Sequence, residues 1–245
     1  MNVNLNDLLI PNADGPDQPL TDPRATSADG LTQVFFRNLE AELLQLIDAA
    51  DVVVGCVAWL TNRQILAALA KKESVAIVIQ KEDFLRPDLG VNKNWSLELR
   101  SQYSRLKCTF DRYNGALGGT ALHYMSMCSD PSITPIRCVG NHNSDKQPAF
   151  PRAHHKFLVF GRSLNSTERE DDSELGTLGA FQPYAAWTGS FNLTFNATNS
   201  FENAIVTEDP QLVQAFFEEW AQIEALSEPL DWSSVWVEPE WRIGT

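Results

Sequence analysis

Two long apolar runs constrain the fold of this chain more than any other feature of its sequence. They occupy residues 51–60 and 74–80, and neither alternates regularly between apolar and polar side chains. Such runs are typical of strands that are buried on both faces of a sheet. A segment with helical spacing precedes each of them, over residues 31–47 and 64–71. This alternation of helix and strand predicts an α/β fold, with a mixed, largely parallel sheet flanked by helices on both faces.

Composition divides the 245 residues into three regions. Residues 1–28 are rich in Asn, Asp, Pro and Gly and lack periodicity, which indicates a flexible or extended leader. Residues 29–228 are expected to form one domain, in which the polar and acidic residues 161–183 form an inserted surface hairpin or loop. Residues 229–245 follow as a C-terminal tail.

The net charge of −13 limits the ways in which this chain could bind nucleic acid. A protein that holds duplex DNA by its phosphates usually presents a basic face. In the second half of the chain, near the motifs with reactive side chains that are described below, basic residues outweigh acidic ones only around Arg137, Lys146, Arg152 and Lys156. Contact with nucleic acid is therefore expected at this local patch, and a protein partner could supply specificity or further positive charge.

Compartment and metal binding are both inferred from what the sequence lacks. The first residues have no basic and apolar regions of a signal peptide, and no stretch approaches the roughly 20 apolar residues of a membrane span. We therefore expect a cytoplasmic protein without a membrane partner. Cys56 and Cys138 lie in apolar runs and are expected to be buried, reduced thiols. Because Cys and His are not clustered, no metal site is predicted.

Two motifs in the second half of the chain carry chemically reactive side chains. His154 and Lys156 alternate at the start of an apolar run, so on a strand they point to the same side. A turn with Ser190 and Asn192 follows, and Glu202 enters a later strand. Together these residues supply a nucleophile, a cation and neutral hydrogen-bond donors, which are the groups needed to hold and attack a phosphodiester.

The other histidines have different expected roles. His155 is expected to point away from the substrate cleft that His154 and Lys156 would face, because neighbouring side chains on a strand point to opposite sides. His123 and His142 are expected to be polar loop residues, although His142 is near enough in sequence to reach the cleft.

These motifs resemble those of the phospholipase D superfamily, and most closely its small bacterial endonucleases with a single His-Lys-Asp motif per chain. The stretches HHKFLVFG, WTGSFNLT and SFENAIV occur in the family's order, and the resemblance covers about residues 31–226. It implies a phospholipase D-like fold. The sequence departs from the family five residues after Lys156, where Gly161 replaces an Asp that looks structural. Asp171 and Asp172 are candidates to substitute for it.

The resemblance also implies a role for each residue of the site. His154 would attack phosphorus and form a covalent phosphohistidine. Glu202 would accept a hydrogen bond from the other imidazole nitrogen and so fix its tautomer. Lys156 would bind the phosphate oxygens as a cation, while Asn192 and Ser190 would donate further hydrogen bonds to them. No metal ion or cofactor is needed, because side-chain cations and amides neutralise the charge.

A single motif per chain leaves the reaction without a second histidine. One His cannot attack phosphorus and also protonate the group that leaves from the opposite side. We therefore predict a two-fold homodimer in which two His154 side chains face each other across one cleft. The predicted function is a metal-independent phosphodiesterase, an endonuclease that cleaves DNA or RNA. The alternatives are a phospholipid phosphodiesterase and a catalytically inactive nucleic-acid-binding or dimerisation module on the same fold.

Overall fold

The computed structural model describes residues 3–82, 94–109, 133–142, 151–163, 181–236 and 238. Within these ranges the strands are, in chain order, β1 (Leu9–Ile10), β2 (Gln18–Pro19), β3 (Ala25–Thr26), β4 (Thr32–Phe35), β5 (Val52–Val57), β6 (Ser74–Gln80), β7 (Ile136–Val139), β8 (Lys156–Ser163), β9 (Phe181–Gly189) and β10 (Ala204–Thr207). The α-helices of the same ranges are α1 (Leu39–Ala49), α2 (Arg63–Leu69), α3 (Asn94–Tyr103), α4 (Phe195–Thr198) and α5 (Pro210–Ala225).

Eight of these strands form one sheet in the order β3-β4-β10-β9-β8-β5-β6-β7. Parallel pairing joins β5 to β6 and β6 to β7, whereas the other five pairs of neighbours are antiparallel. The mixed sheet is confirmed, but the sheet is mostly antiparallel and not largely parallel as predicted. An unbroken apolar run shows that a strand is covered on both faces, and it carries no information about the direction of its neighbours.

Helices cover both faces of the main sheet, as predicted. Val53 of β5 belongs to a buried cluster that includes residues of α1, α2 and α3. Val54, the next residue, belongs to a second buried cluster with Phe217 and Trp220 of α5. Because successive side chains of a strand point to opposite faces, α1, α2 and α3 lie on one face and α5 lies on the other.

The helix predicted from residue 31 begins later than the spacing indicates. Thr32 to Phe35 form β4, which pairs with β10, and α1 begins only at Leu39. Asn38 separates the two elements with a left-handed backbone, at φ 57°. A spacing of four residues fits a helical face, but it also fits the two-residue repeat of a strand, so the pattern is ambiguous here.

The first region of the chain is extended and attached to the domain. β1 pairs with β2 in a separate two-stranded sheet, and β3 joins the main sheet beside β4. The N–H of Leu5 donates to the carbonyl of Asn199 at 2.9 Å. The main sheet therefore begins before residue 29, within the region that is predicted to be a flexible or extended leader.

The start of the C-terminal tail, which is predicted for residues 229–245, packs against buried residues of the domain. Lys81 is completely buried and donates to Glu228 at 2.7 Å, and to the carbonyls of Ser234 and Trp236 at 3.2 and 2.8 Å. Its ammonium lies 4.8 Å from the ring centroid of Trp232, which is also buried. The sequence does not reveal this packing, because the partner of the tail lies far earlier in the chain.

The predicted insertion starts and ends within two paired strands. Gly161 pairs with Pro183, and the ladder between β8 and β9 continues to the limit of the described residues. The pairing register shifts between Phe160 and Gly161, because Tyr184 of β9 is skipped between Ala185 and Pro183. Gly161 is the position where the resembled family has Asp. Asp171 and Asp172 lie outside the described residues.

Two further predictions concern membrane and thiol chemistry. Within the described ranges, no helix combines the length and the apolar character needed to cross a bilayer. Cys56 and Cys138 are buried free thiols, as predicted. Burial raises the pKa of Cys138 to about 12, so this thiol is protonated at neutral pH.

Candidate active site

Five strands bring their ends together at one end of the main sheet. β5 and β6 run parallel and present their carboxyl ends there, and β8 runs antiparallel to β5 and presents its amino end. The antiparallel ladders to β9 and β10 continue this alternation. The topology therefore gathers all the predicted site residues, which are His154 and Lys156 before and in β8, Ser190 and Asn192 after β9, and Glu202 before β10.

His154 and Lys156 contact each other directly. Nζ of Lys156 lies 3.2 Å from Nδ1 and 3.3 Å from Nε2 of His154, and it donates to the His154 carbonyl at 3.0 Å. His155 points the other way. Its ring packs edge-on against Phe157, and its Nε2 lies 3.5 Å from the carboxylate of Glu219 on α5. The predicted alternation of side chains along this segment is confirmed.

A glycine in the neighbouring strand lets the His154 segment lie where it does. A Cβ added at Gly55 of β5 would approach Cα of Leu158 to 2.9 Å, which is closer than real Cβ contacts. Only glycine therefore allows β8 to pack this tightly against β5.

A buried glutamine fixes the loop that leads into His154. Gln80, at the end of β6, accepts from the N–H of Ala153 at 2.6 Å. Its amide nitrogen donates to the carbonyls of Lys81 and Asn141 at 2.9 and 2.8 Å. Gln80 was missed in the sequence analysis, although a polar residue that closes an apolar run is a signal that could have identified it.

Ser190 and Glu202 are joined by a hydrogen bond across the ends of β9 and β10. The Ser190 hydroxyl donates to the Glu202 carboxylate and accepts from the N–H of Asn203 at 3.0 Å. Gly189 permits this approach, because a Cβ there would meet Cα of Ala204 at 2.8 Å. The single proton of the Ser190 hydroxyl is therefore committed to Glu202.

The expected hydrogen bond between Glu202 and His154 is not formed in this structure. The Glu202 carboxylate holds Ser190 instead, and its negative charge acts on Lys156. The pKa of Lys156 lies below its ordinary value, mainly because burial removes water from the ammonium. The charge of Glu202 opposes this effect by raising the pKa, and the charge of Arg152 adds to it by lowering the pKa.

The environment of His154 favours its neutral form. Partial burial is the largest cause that lowers its pKa below the ordinary value, followed by electrostatic interaction with Lys156, Arg152 and His155. At neutral pH an imidazole of this kind is mostly unprotonated, and one of its nitrogens then carries a lone pair.

Asn192 presents an unused polar atom to the site. Its side-chain oxygen is buried and has no hydrogen-bond partner among the described residues. Buried polar atoms in native structures usually have a partner, and one without a partner calls for an explanation such as a missing ligand. Asn192 also lines the adjoining cleft, so a ligand in the cleft could supply that partner.

The cleft beside the site has a volume of about 570 Å³. Asn192 and Glu202 line it together with Trp59 and Trp95. Trp59 also approaches the reactive pair, because its ring centroid lies 6.3 Å from that of His154 and the two rings are nearly perpendicular. The two tryptophans were missed in the sequence analysis, and the position of Trp59 at the end of an apolar run is the only signal of its role.

Only part of the predicted basic patch reaches this end of the sheet. Arg137 is buried and donates to the hydroxyl and carbonyl of Ser227 at 2.6 and 2.9 Å, on the face that α5 covers. Arg152 is exposed beside the reactive pair, and Lys146 lies outside the described residues. The cationic part of the described site is therefore Lys156 with Arg152.

His142 does not reach the cleft. Its ring is buried 4.8 Å from that of Trp232, under the start of the tail. His123 lies outside the described residues. In the part of the chain that the structure describes, no group of three or more His, Cys, Asp or Glu side chains is placed to hold a metal ion.

Fold and site together define a mixed α/β protein with a His–Lys pair at one end of its central sheet. The chain belongs to the same family as the uncharacterized protein L381 of Acanthamoeba polyphaga mimivirus. The two are 30% identical over 223 residues, which cover 84% of this chain and 70% of the relative. No protein-family model matches the sequence.

Several solved structures have a similar arrangement of elements. Nuc of Salmonella typhimurium, a phospholipase D family member, is 20% identical, and the match covers 83% of this chain and 98% of that chain with a TM-score of 0.44. NucT of Helicobacter pylori is 14% identical, with 78% and 95% covered and a TM-score of 0.42. Phosphatidylserine synthase of Haemophilus influenzae is 15% identical, with 79% and 38% covered and a TM-score of 0.36. Because all three TM-scores lie below 0.5, functional conclusions rest on the residues of the site.

Proposed function

We propose that this protein is a metal-independent phosphodiesterase of the phospholipase D type, an endonuclease that cleaves DNA or RNA in a homodimeric active site. The observation that carries the proposal is the direct contact of His154 with Lys156, at the same end of the sheet as Ser190, Asn192 and Glu202. Phosphodiester cleavage needs a nucleophile and fixed groups that neutralise the phosphate oxygens. This set of side chains supplies both.

His154 is the proposed nucleophile. Its lowered pKa favours the neutral imidazole, and its side chain is exposed to an approaching substrate. A ring nitrogen forms the bond to phosphorus while the bond from phosphorus to the leaving oxygen breaks, and that oxygen takes a proton from an acid. Water then attacks the phosphohistidine, which releases the phosphate product and restores the imidazole.

Lys156 is the proposed phosphate cation. Its ammonium now lies within 3.3 Å of both imidazole nitrogens, at a position from which it could reach a phosphate bound to His154. We expect the ammonium to exchange the imidazole for phosphate oxygens when substrate binds, since an anionic oxygen is the stronger acceptor. This exchange also frees the imidazole lone pair for attack.

Glu202, Ser190 and Asn192 complete the proposed site. Glu202 raises the pKa of Lys156 and so opposes the larger effect of desolvation, and the Glu202 carboxylate is itself held by the Ser190 hydroxyl. The buried amide oxygen of Asn192 has no hydrogen-bond partner among the described residues, so its amide is free to turn toward a phosphate or a water beside it. Ser190 can bind phosphate only if it releases Glu202.

The proposed dimer supplies the proton donor. A second copy of the chain would place its own His154 on the opposite side of the phosphorus, where it protonates the leaving oxygen and later removes a proton from water. Light scattering after gel filtration should show a dimer at micromolar concentration. In mixtures with a large excess of the His154→Ala variant, the activity per wild-type chain should fall as mixed dimers form, whereas a monomeric enzyme would keep it.

The function is tested with purified protein, a metal chelator, and DNA, RNA and phospholipid as substrates. We expect turnover of a nucleic acid with chelator present, and a loss of roughly 10³-fold in the His154→Ala variant. His155→Ala is the matched control, since its side chain faces α5, and it should retain activity. Magnesium-dependent activity, or activity that survives His154→Ala, contradicts the mechanism, and turnover of phospholipid alone supports the alternative substrate.

A further inference from the structure

The lining of the cleft beside His154 differs from that of a surface that holds duplex nucleic acid. Glu202 is the only charged residue among those described as lining it, and the remainder are Asn, Ser, Thr and Ala side chains and two tryptophans, Trp59 and Trp95. Binding to duplex phosphates relies on several Lys and Arg residues. The described lining has none, so a ligand in this cleft would gain little affinity from its phosphates beyond those held at Lys156.

Trp59 is held in a defined orientation at the boundary between the cleft and the reactive pair. Its indole nitrogen donates to the carboxylate of Glu82 at 2.9 Å. Its ring centroid lies 6.3 Å from that of His154, within reach of a base attached through its sugar to a phosphate at His154. An aromatic ring fixed in this way loses little rotational freedom when a base stacks on it.

Resting on the proposed function, we propose that the substrate is single-stranded nucleic acid, and that Trp59 and Trp95 bind its unpaired bases by stacking. Aromatic side chains bind single strands in this way without requiring a particular sequence, because every base has an aromatic face. In a duplex the bases are already stacked on each other and do not present those faces. Trp59 and Trp95 would thus determine which form of nucleic acid is cut, while His154 and Lys156 perform the reaction.

The test is a binding measurement in the His154→Ala background, in which the oligonucleotide is not consumed. Fluorescence anisotropy compares a labelled single-stranded DNA of mixed sequence, the same DNA as a duplex, and a single strand of abasic sugars. We expect the single strand to bind most tightly. Trp59→Ala should weaken its binding by roughly 5- to 150-fold, the range of one base-stacking contact. Duplex and abasic binding should not change.

Three variants control for folding and for chemistry. Trp59→Phe keeps an aromatic face and should retain most of the affinity. Trp95 lies on a separate helix, α3, and is 43% exposed. Trp95→Ala should therefore weaken single-strand binding even if Trp59→Ala fails to fold. Trp236→Ala removes a tryptophan that is 64% exposed and lies outside the cleft lining, and should have no effect.

The dependence of the binding constant on salt concentration is an independent test of the proposal. One or two phosphate contacts at Lys156 and Arg152 predict a slope of log K against log salt of about −0.7 to −1.4. A much steeper slope would show that binding is dominated by phosphates, and would overturn the proposal. Tryptophan-dependent binding to anionic vesicles, with no preference among oligonucleotides, would overturn it in favour of a lipid surface.

Failure of the stacking proposal and failure of the proposed function give different results. If the wild-type protein cleaves single and double strands equally, and Trp59→Ala and Trp95→Ala change neither, the phosphodiesterase stands and the stacking proposal falls. If no phosphodiester is cleaved, but single-strand binding still depends on Trp59 and Trp95, the stacking proposal stands as a binding activity.

Discussion

Two lysines of this protein lie at the ends of sheet strands, where the charge of a glutamate acts on each, and their surroundings differ completely. Lys81 is fully buried, and its ammonium donates to Glu228 and to two backbone carbonyls. All three of its protons are therefore in use. Lys156 is half-buried, and the contacts of its ammonium are to His154. A buried cation with every proton engaged holds structure together, whereas an accessible cation beside a reactive imidazole is available to a ligand.

The largest expected effect tests this difference through activity. Lys156→Ala should lower phosphodiesterase activity by about 10²–10⁴-fold, because it removes the cation proposed to bind the phosphate oxygens. Its free energy of unfolding should change by no more than about 0.5 kcal/mol, as for most substitutions at accessible positions. Enzyme assays and urea denaturation of the same preparation measure both quantities.

Lys71→Ala, at an exposed lysine beyond α2, is the matched control for Lys156→Ala and should leave activity and stability unchanged. A large loss of stability in Lys156→Ala would show that Lys156 is structural, and the contrast with Lys81 would disappear.

The second effect is the opposite pattern at Lys81. Lys81→Ala should destabilise the protein by about 3–5 kcal/mol, since it leaves the buried Glu228 carboxylate without its partner. Denaturant titration followed by tryptophan fluorescence measures the loss. Lys81→Met together with Glu228→Gln should recover part of it, because an apolar chain and a neutral amide replace the unpaired charge. An equal loss in the single and double variants would argue against the ion pair as the cause.

A third prediction concerns Gln80, which connects the buried region to the site. Gln80→Leu should destabilise the protein by about 1–3 kcal/mol, because the N–H of Ala153 and two carbonyls lose their partner. It should also lower activity beyond what the fraction of unfolded protein explains, since the loop into His154 is no longer held. Gln64→Leu, at an exposed glutamine on α2, is the control. Unchanged activity in the folded fraction would show that the loop does not need Gln80.

The smallest expected effect is a shift in the pKa of His154. Lys156→Gln removes a positive charge that disfavours the imidazolium, so the pKa of His154 should rise toward its ordinary value. Arg152→Gln should produce a smaller shift in the same direction, since its charge is a lesser cause. NMR titration of the imidazole signals measures both shifts, with the signal of His154 identified by its absence in the His154→Ala variant.

The pH profile should follow from the same pKa. Activity that needs one neutral and one protonated His154 in the dimer should be highest near a pKa below the ordinary value for histidine and fall at lower and higher pH, and this maximum should lie at a higher pH in Arg152→Gln. A downward shift in either variant would show that these charges do not act on His154 as inferred.

The sequence predicted the directions of the side chains around His154 better than the contacts among them. The alternation of His154, His155 and Lys156 followed from the two-residue repeat of a strand, and the structure agrees. The partner of Glu202 could not be predicted in this way, because it depends on how close β9 and β10 lie at their ends. That distance is set by Gly189 and its pairing with Ala204, and the Glu202 carboxylate meets Ser190 there instead of His154.

By itself, the sequence determined which strands are buried, which segments form the later helices and which side chains carry the reactive groups. These properties depend on residues close together in the chain, through periodicity and helix capping. Only the tertiary structure decided the direction of strand pairing, the burial of Arg137, the docking of the tail on Lys81 and the place of Trp59 beside His154. Each of these depends on contacts between segments far apart in the chain, and no local pattern encodes such contacts.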